Sequence, residues 1–223
     1  GELGITPYDY NAHPWAPVPG ATHVAQLVAG GGVCAIRDDG TLYCWGPHPF
    51  TGPHHTREEF IATSSPRAVP GLRGVKRLLL GTVPCLVYAD RVECEKPEEV
   101  DAHATFQRID VPAADVVDVA GGGDEACFVL RDGSVRCWGP GPAPYVRDGG
   151  WWSKQLRAGF RHVRTVPGIH DAVQVSVMFT HDCVTTRRGH VKCWGDNEYG
   201  ELGDGTLGRR DEPVYVRWFL PTL

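Results

Sequence analysis

At 223 residues, 42% apolar and 22% charged, the chain is long enough to bury a large core and lies outside disordered or collagen-like compositions. Its 22 basic and 27 acidic residues are interspersed and leave a net charge of −5, which excludes a broad cationic face for nucleic acid and a polybasic membrane patch. No apolar run approaches the roughly 18 residues that a spanning helix needs, so no membrane insertion is expected. The chain does not open on Met, and Met178 is its only one; a processed or trimmed piece is expected, a fragment of a larger ring, a small ring closed by its own ends or one completed by another chain, and a removed leader peptide would not be visible.

Taken in order, the predicted elements repeat. Gly1-Glu2-Leu3-Gly4 reads as the tail of a preceding unit. Val24 to Gly32 alternates apolar residues and runs into glycines. Val33-Cys34-Ala35-Ile36 and Tyr43-Cys44-Trp45-Gly46 then form two β-prone arms around a turn. Setting Cys34 opposite Cys44 in an antiparallel pair places Arg37 opposite Thr41. The loop is then Asp38-Asp39-Gly40, with glycine where positive φ is favoured. A proline-stiffened segment follows, Pro47 to Pro66, holding His48, His54 and His55.

Val69 to Gly81 repeats the apolar-then-glycine pattern, and Cys85 and Cys94 close a hairpin one residue shorter, with Ala89-Asp90 as its turn. Val111 to Gly123 leads to Cys127 and Cys137 around Arg131-Asp132-Gly133. Pro140 to Thr165 is a second long insertion. Val166 to Val177 leads to Cys183 and Cys193 around Arg187-Arg188-Gly189, with Ser176-Val177-Met178 in place of the earlier glycines. The chain closes with Glu212-Pro213-Val214-Tyr215-Val216, which reads as the first strand of a following unit.

The first cysteines of the four pairs are separated by 51, 42 and 56 residues, the spacing of a repeated supersecondary unit. The stretch before each hairpin is expected to supply two further strands. About four strands would then recur every 40 to 55 residues or so, which points to an all-β fold, a β-propeller or propeller segment of about four blades. Units are expected at roughly 1–52, 53–100, 101–150 and 151–206 of a single propeller-type domain, with 207–223 beginning a following or ring-closing blade. Opposed residues on antiparallel strands have Cα separations of about 4.5–5.5 Å, within reach of a disulfide. Four cross-strand bonds follow: Cys34 with Cys44, Cys85 with Cys94, Cys127 with Cys137 and Cys183 with Cys193. Trp45, Trp138 and Trp194, each directly after a second cysteine, are expected in the core between blades.

The residues from Cys193-Trp194-Gly195-Asp196-Asn197 through Gly200-Glu201-Leu202-Gly203-Asp204-Gly205-Thr206 resemble the repeat of the regulator of chromosome condensation family, in its bacterial-type, cysteine-containing form. Gly30 to Gly46 and Gly121 to Gly139 extend the resemblance over most of the chain. It implies a propeller, commonly of seven blades. Cys94-Glu95-Lys96 departs from the Cys-Trp-Gly pattern, and the first three units lack the Asn-x-x-Gly-x-Leu-Gly turn.

Chemistry is poorly represented. Zinc sites favour cysteines two to four residues apart, a spacing absent here. The Gly30-Gly31-Gly32 and Gly121-Gly122-Gly123 runs do not open helices, so they are read as places where a side chain would clash rather than as phosphate cradles. Adjacent Asp124 and Glu125 on a strand point to opposite faces, and His181 is read as structural. No catalytic residue, metal or cofactor is therefore assigned. The expected function is protein binding or scaffolding through Pro47–Pro66 and Pro140–Thr165. Tyr145, Arg147, Trp151, Trp152, Arg157, Phe160 and Arg161 are the candidate contacts, since aromatic residues and arginine dominate binding hot spots.

The partner is expected to be a protein or further copies of this chain. Oxidised cysteines point to an extracellular, periplasmic or cell-surface location. Two alternatives are a subunit that completes a multi-chain propeller or polymer, and a metal-dependent protein or enzyme using His48, His54 and His55. The disulfides disfavour a nucleotide-exchange role of the kind the resemblance would imply.

Overall fold

The computed structural model describes residues 17–18, 20–30, 32–46, 65–81, 83–95, 106–122, 125–139 and 162–217. The chain forms two compact units, Gly1–Arg108 and Ile109–Leu223. The first holds two four-stranded antiparallel sheets. One runs β1 (Val24–Ala29), β2 (Val33–Arg37), β3 (Leu42–Trp45) and β4 (Arg67–Ala68). The other runs β5 (Arg77–Leu79), β6 (Cys85–Val87), β7 (Val92–Glu95) and β8 (Phe106–Ile109). The second unit repeats this with β9 (Val116–Gly122), β10 (Glu125–Leu130), β11 (Val135–Trp138) and β12 (Val163–Thr165), then β13 (Ala172–Val177), β14 (His181–Thr186), β15 (Val191–Gly195) and β16 (Arg210–Tyr215). Each sheet keeps its strands in chain order, as a propeller blade does.

The central hairpins have the register that their cysteines imply. Cys34 faces Cys44, Cys85 faces Cys94, Cys127 faces Cys137 and Cys183 faces Cys193. All four pairs are bonded, each with a Cα separation of 4.1 Å. Arg37 N–H donates to the Thr41 carbonyl, and Gly40 at the loop end has φ +76°. Gly133 and Gly189 hold the same place at φ +87° and +79°. The second hairpin closes through Tyr88 N–H to the Arg91 carbonyl, so the one-residue deletion is absorbed by its turn.

Two expectations need correction. The stretch before each hairpin supplies one strand, not two: β1, β5, β9 and β13. The fourth strand of each blade comes after the hairpin, where the chain returns to pair with the exposed edge of the third strand and satisfies its backbone groups. For the same reason Arg210–Tyr215 is the last strand of the fourth blade, paired with β15, rather than the start of a following blade. Pro213 is tolerated there because the strand is an edge and the ladder slips between Cys193 and Gly195.

Within each unit the two blades stack face to face. In the first, Cys34, Ile36, Leu42 and Cys44 of one blade pack with Leu78, Leu86 and Tyr88 of the next. In the second, Cys127, Val129, Val135 and Cys137 pack with Val175, Val177, Val184 and Trp194. The blade hairpin therefore presents its disulfide to the next blade as an apolar surface. Trp194 lies in this inter-blade core as expected, and Trp45 and Trp138 are buried. Removing a side chain such as Leu78 or Val129 from water contributes about 1.5–3 kcal/mol.

The same latch joins both blade pairs. A polar side chain on the first strand of one blade accepts from a backbone N–H on the first strand of the next: Leu78 N to Gln26 Oε1 at 3.3 Å, and Val175 N to Asp118 Oδ2 at 2.8 Å. The hairpin-turn carbonyls of Gly40 and Gly133 accept from Val75 and Ala172. The strand-end glycines fit the clash reading. A Cβ on Gly30 would lie 3.0 Å from the Leu80 carbonyl oxygen, and one on Gly122 would lie 2.3 Å from that of Val177.

Candidate functional site

The candidate contacts Tyr145, Arg147, Trp151, Trp152, Arg157, Phe160 and Arg161 lie outside the described residues, as do His48, His54 and His55. Their anchors are described. The first insertion leaves at the end of β3 and returns on β4, where Ala68 faces Tyr43 and Arg67 faces Cys44. The second leaves at the end of β11 and returns on β12, where Val163 faces Trp138 and Arg164 faces Cys137. Both insertions therefore occupy the same connection, between the third and fourth strands of a blade. Each starts and ends beside a disulfide-bonded cysteine.

The fourth blade shows that connection in its short form. Asn197 is buried and acts as the hub of the turn. Its Oδ1 accepts from Leu202 N at 3.0 Å, and its Nδ2 donates to the carbonyls of Thr206 and Gly208 at 3.0 and 3.2 Å. Asp204 caps Thr206 N at 2.8 Å and pairs with Arg210 Nε at 2.8 Å. Hydrogen bonds from Thr206 and the Arg210 cation hold its carboxyl well below the usual carboxylate range. Leu202 is fully buried beneath the turn, while Tyr199 and Leu207 are left exposed on it.

Arg164 was grouped by sequence with the insertion. The structure makes it an anchor. From β12 it reaches across the sheet to the Glu125 carboxylate on β10. Burial pushes Glu125 up to about 7, against the opposing pull of Arg164. A third group joins from the neighbouring blade: Asp182 on β14, 1% exposed. Burial first, and the Glu125 charge second, raise Asp182 to about 8. Its two carboxylate oxygens make no well-formed hydrogen bond, and neither do Trp194 Nε1 and Arg164 Nε. The indole and the Met178 amide lie close enough to favour its anion only weakly. Arg164 is thus bonded to one buried acid, Glu125, and acts on the other, Asp182, only through its charge. The sequence showed Asp124-Glu125 and His181-Asp182 as isolated neighbours; nothing local said that Glu125, Arg164 and Asp182 meet.

Glu125 also lies 3.6 Å from Cys127 Sγ. With Cys127 and Cys137 it forms a cluster of metal-ligand type, but both sulfurs are committed to a disulfide and offer no thiolate. His181, half-buried, places Nδ1 3.4 Å from Thr180 Oγ1. Among the described residues no helix is long and apolar enough to cross a membrane.

No family model matches the chain. Human HERC2, an E3 ubiquitin-protein ligase, is 26% identical over 217 residues, covering 86% of this chain and 4% of HERC2; mouse HERC2 gives the same values. Among solved structures, Prp20p from Saccharomyces cerevisiae, described with its binding to Gsp1p and histones, is 18% identical, with a TM-score of 0.69 over 90% of this chain and 52% of its own. The yeast RCC1 (Prp20) structure with Kap60 bound gives 17%, 0.70, 92% and 51%. Human WBSCR16 gives 20%, 0.61, 94% and 56%. The chain spans about half the length of these solved propellers and a small part of HERC2. Its repeated cysteine-tryptophan hairpins, the Asn197 turn and the blade order are similar to those of regulator of chromosome condensation repeats, and its fold is that of a β-propeller.

Proposed function

We propose that the chain is a non-enzymatic scaffold that recognises a protein partner through its two insertions, 47–66 and 140–165. The observation that carries this reading is positional. In the fourth blade the connection between the third and fourth strands is a short turn closed by Asn197. In the first and third blades long insertions take its place, rooted on disulfide-bonded strands. Loops held on a rigid β framework are where recognition is usually placed. The second insertion concentrates Tyr145, Arg147, Trp151, Trp152, Arg157, Phe160 and Arg161, the residue types that anchor interfaces. The similar yeast protein Prp20p is likewise described with protein partners, Gsp1p, histones and Kap60. Four disulfides fit an extracellular, periplasmic or surface location, since a reducing cytosol does not maintain such bonds.

The test replaces Trp151 and Trp152 with Ala together, follows folding by thermal melting and disulfide content, and measures cross-linked partners by mass spectrometry. Loss of specific partners from a variant that melts like the parent supports the reading. Unchanged capture by that folded variant overturns it.

A further inference from the structure

The third and fourth blades close over an uneven set of charges. Glu125 on β10 and Asp182 on β14 are 4% and 1% exposed, and Arg164 on β12 is the cation that acts on both. If both acids ionise, one negative charge is left over. Among the described residues, the other ionisable groups on the strands lining this seam are engaged or turned away. Asp118 of β9 accepts from Val175 N, and Lys192 of β15 donates to the Gly168 carbonyl. Arg136 of β11 and His181 of β14 alternate onto the opposite sides of their strands, and β13 carries no ionisable residue. Just past Trp194, Asp196 pairs with Arg209.

The leftover charge falls where the blades press together. Gly122 is the cross-strand neighbour of Glu125, and Val177 that of Asp182; a Cβ on Gly122 would lie 2.3 Å from the Val177 carbonyl oxygen. The seam beyond is apolar, lined by Val129, Val135, Val175 and Val184. A bare charge is costly in such a place, and the Asp182 oxygens have no well-formed hydrogen bond to offset it. One retained proton removes the imbalance. Burial raises both acids, to about 7 and about 8, so that proton is lost near neutral pH. The first unit builds the same latch without this device. There the places of Glu125 and Asp182 are held by Gly32 and Pro84, and Glu95, in the place of Trp194, is only half-buried.

We infer that the seam between the third and fourth blades is a pH-operated closure, shut while Glu125 and Asp182 retain a proton between them and opening locally, with both blades still folded, when both ionise. Opening admits water to the carboxylates and returns them toward ordinary acidity. The open form therefore gains on the shut one as pH rises from about 5 to about 8. Arg164 stands on β12, where the second insertion returns, so the closure lies at the root of that insertion. It operates whether or not the insertion binds a partner.

The test is native-state amide hydrogen exchange on the full chain by NMR, each rate divided by the intrinsic rate at its pH. The reporter is Val175 N–H, whose acceptor Asp118 lies across the seam; Leu78 N–H, bonded to Gln26, is its counterpart in the first unit. Val175 should lose about 10-fold or more of its protection between pH 6 and pH 8, while Leu78 keeps its own. Low urea should leave the Val175 rate unchanged, whereas the better-protected amides within the β14–β15 hairpin should follow urea as global unfolding does. Asp182→Asn should remove the pH dependence. Glu125→Gln leaves one acid facing one guanidinium and should shrink it, which keeps the test decisive if Asp182→Asn does not fold. Val175 protection that is flat from pH 6 to pH 8 overturns the proposal. So does Val175 exchange that shares the urea dependence of the hairpin amides, or a pH dependence that Glu125→Gln leaves intact.

Discussion

Gly122 and Val177 meet across two blades with no room between them: a Cβ on Gly122 would fall 2.3 Å from the Val177 carbonyl oxygen. Gly122→Ala must therefore push two first strands apart. A loss of about 1–3 kcal/mol is expected, the usual cost of overfilling a packed site, read as a lower denaturant midpoint. Gly189→Ala is the contrast. Its Cβ enters open space, and only the positive φ of +79° opposes it, so its cost is about 1–2 kcal/mol and is insensitive to the neighbouring blade.

Glu125 and Asp182 predict a pH dependence of unusual sign. Both acids are raised in the folded chain, to about 7 and about 8, chiefly by burial. The fold therefore holds protons that the unfolded chain releases near its ordinary carboxylate values. Their contribution is fully present below about pH 4 and is lost as pH rises through the folded values. Urea midpoints measured from pH 5 to pH 9 should fall from pH 5 up to about 8 and level off above it. Asp182→Asn should flatten that part of the profile.

Among the described residues Arg164 is the one cation whose charge acts on that pair. Arg164→Met leaves Glu125 buried without its counter-charge, and breaking such a pair costs about 3–5 kcal/mol. Adding Glu125→Gln to the same chain should recover much of the loss. A double-mutant cycle in denaturant unfolding measures the coupling.

The four disulfides should not reduce together. Cys34, Cys85 and Cys127 are fully buried, whereas Cys183 is half-buried. Thiol exchange needs access to sulfur. Limited reduction followed by alkylation and peptide mapping should label Cys183 and Cys193 first. Replacing Cys127 and Cys137 by Ser should cost about 2–3 kcal/mol, as expected for a loop of roughly ten residues.

Asn197 holds the short exit turn from inside, through one accepted and several donated hydrogen bonds. Asn197→Ala leaves the Leu202 N–H and two carbonyls without that partner, at about 1–3 kcal/mol for a buried group left unpaired. Proteolysis should then cut between Tyr199 and Arg209 while the four blades remain folded.

The hairpins were legible from the chain alone because everything that sets them is local. Cysteines nine or ten residues apart, side chains alternating with period two, and glycine where a loop needs positive φ determine register and disulfide partners together. The same reading placed Trp194 in the core and gave the glycine runs their steric reason. It did not find the fourth strands, since β4 and β12 are short and return only after insertions whose length carries no pairing signal. Nor did it find the acid pair. Arg164 lies 39 residues from Glu125, and Asp182 comes from another blade. Only the stacking of sheets brings them together and removes the water that would have kept their acidities ordinary. Sequence by itself determined the blade hairpin and its repetition. Tertiary structure decided which strand completes each blade and which buried charges come together, because each depends on contacts between segments that no local period encodes.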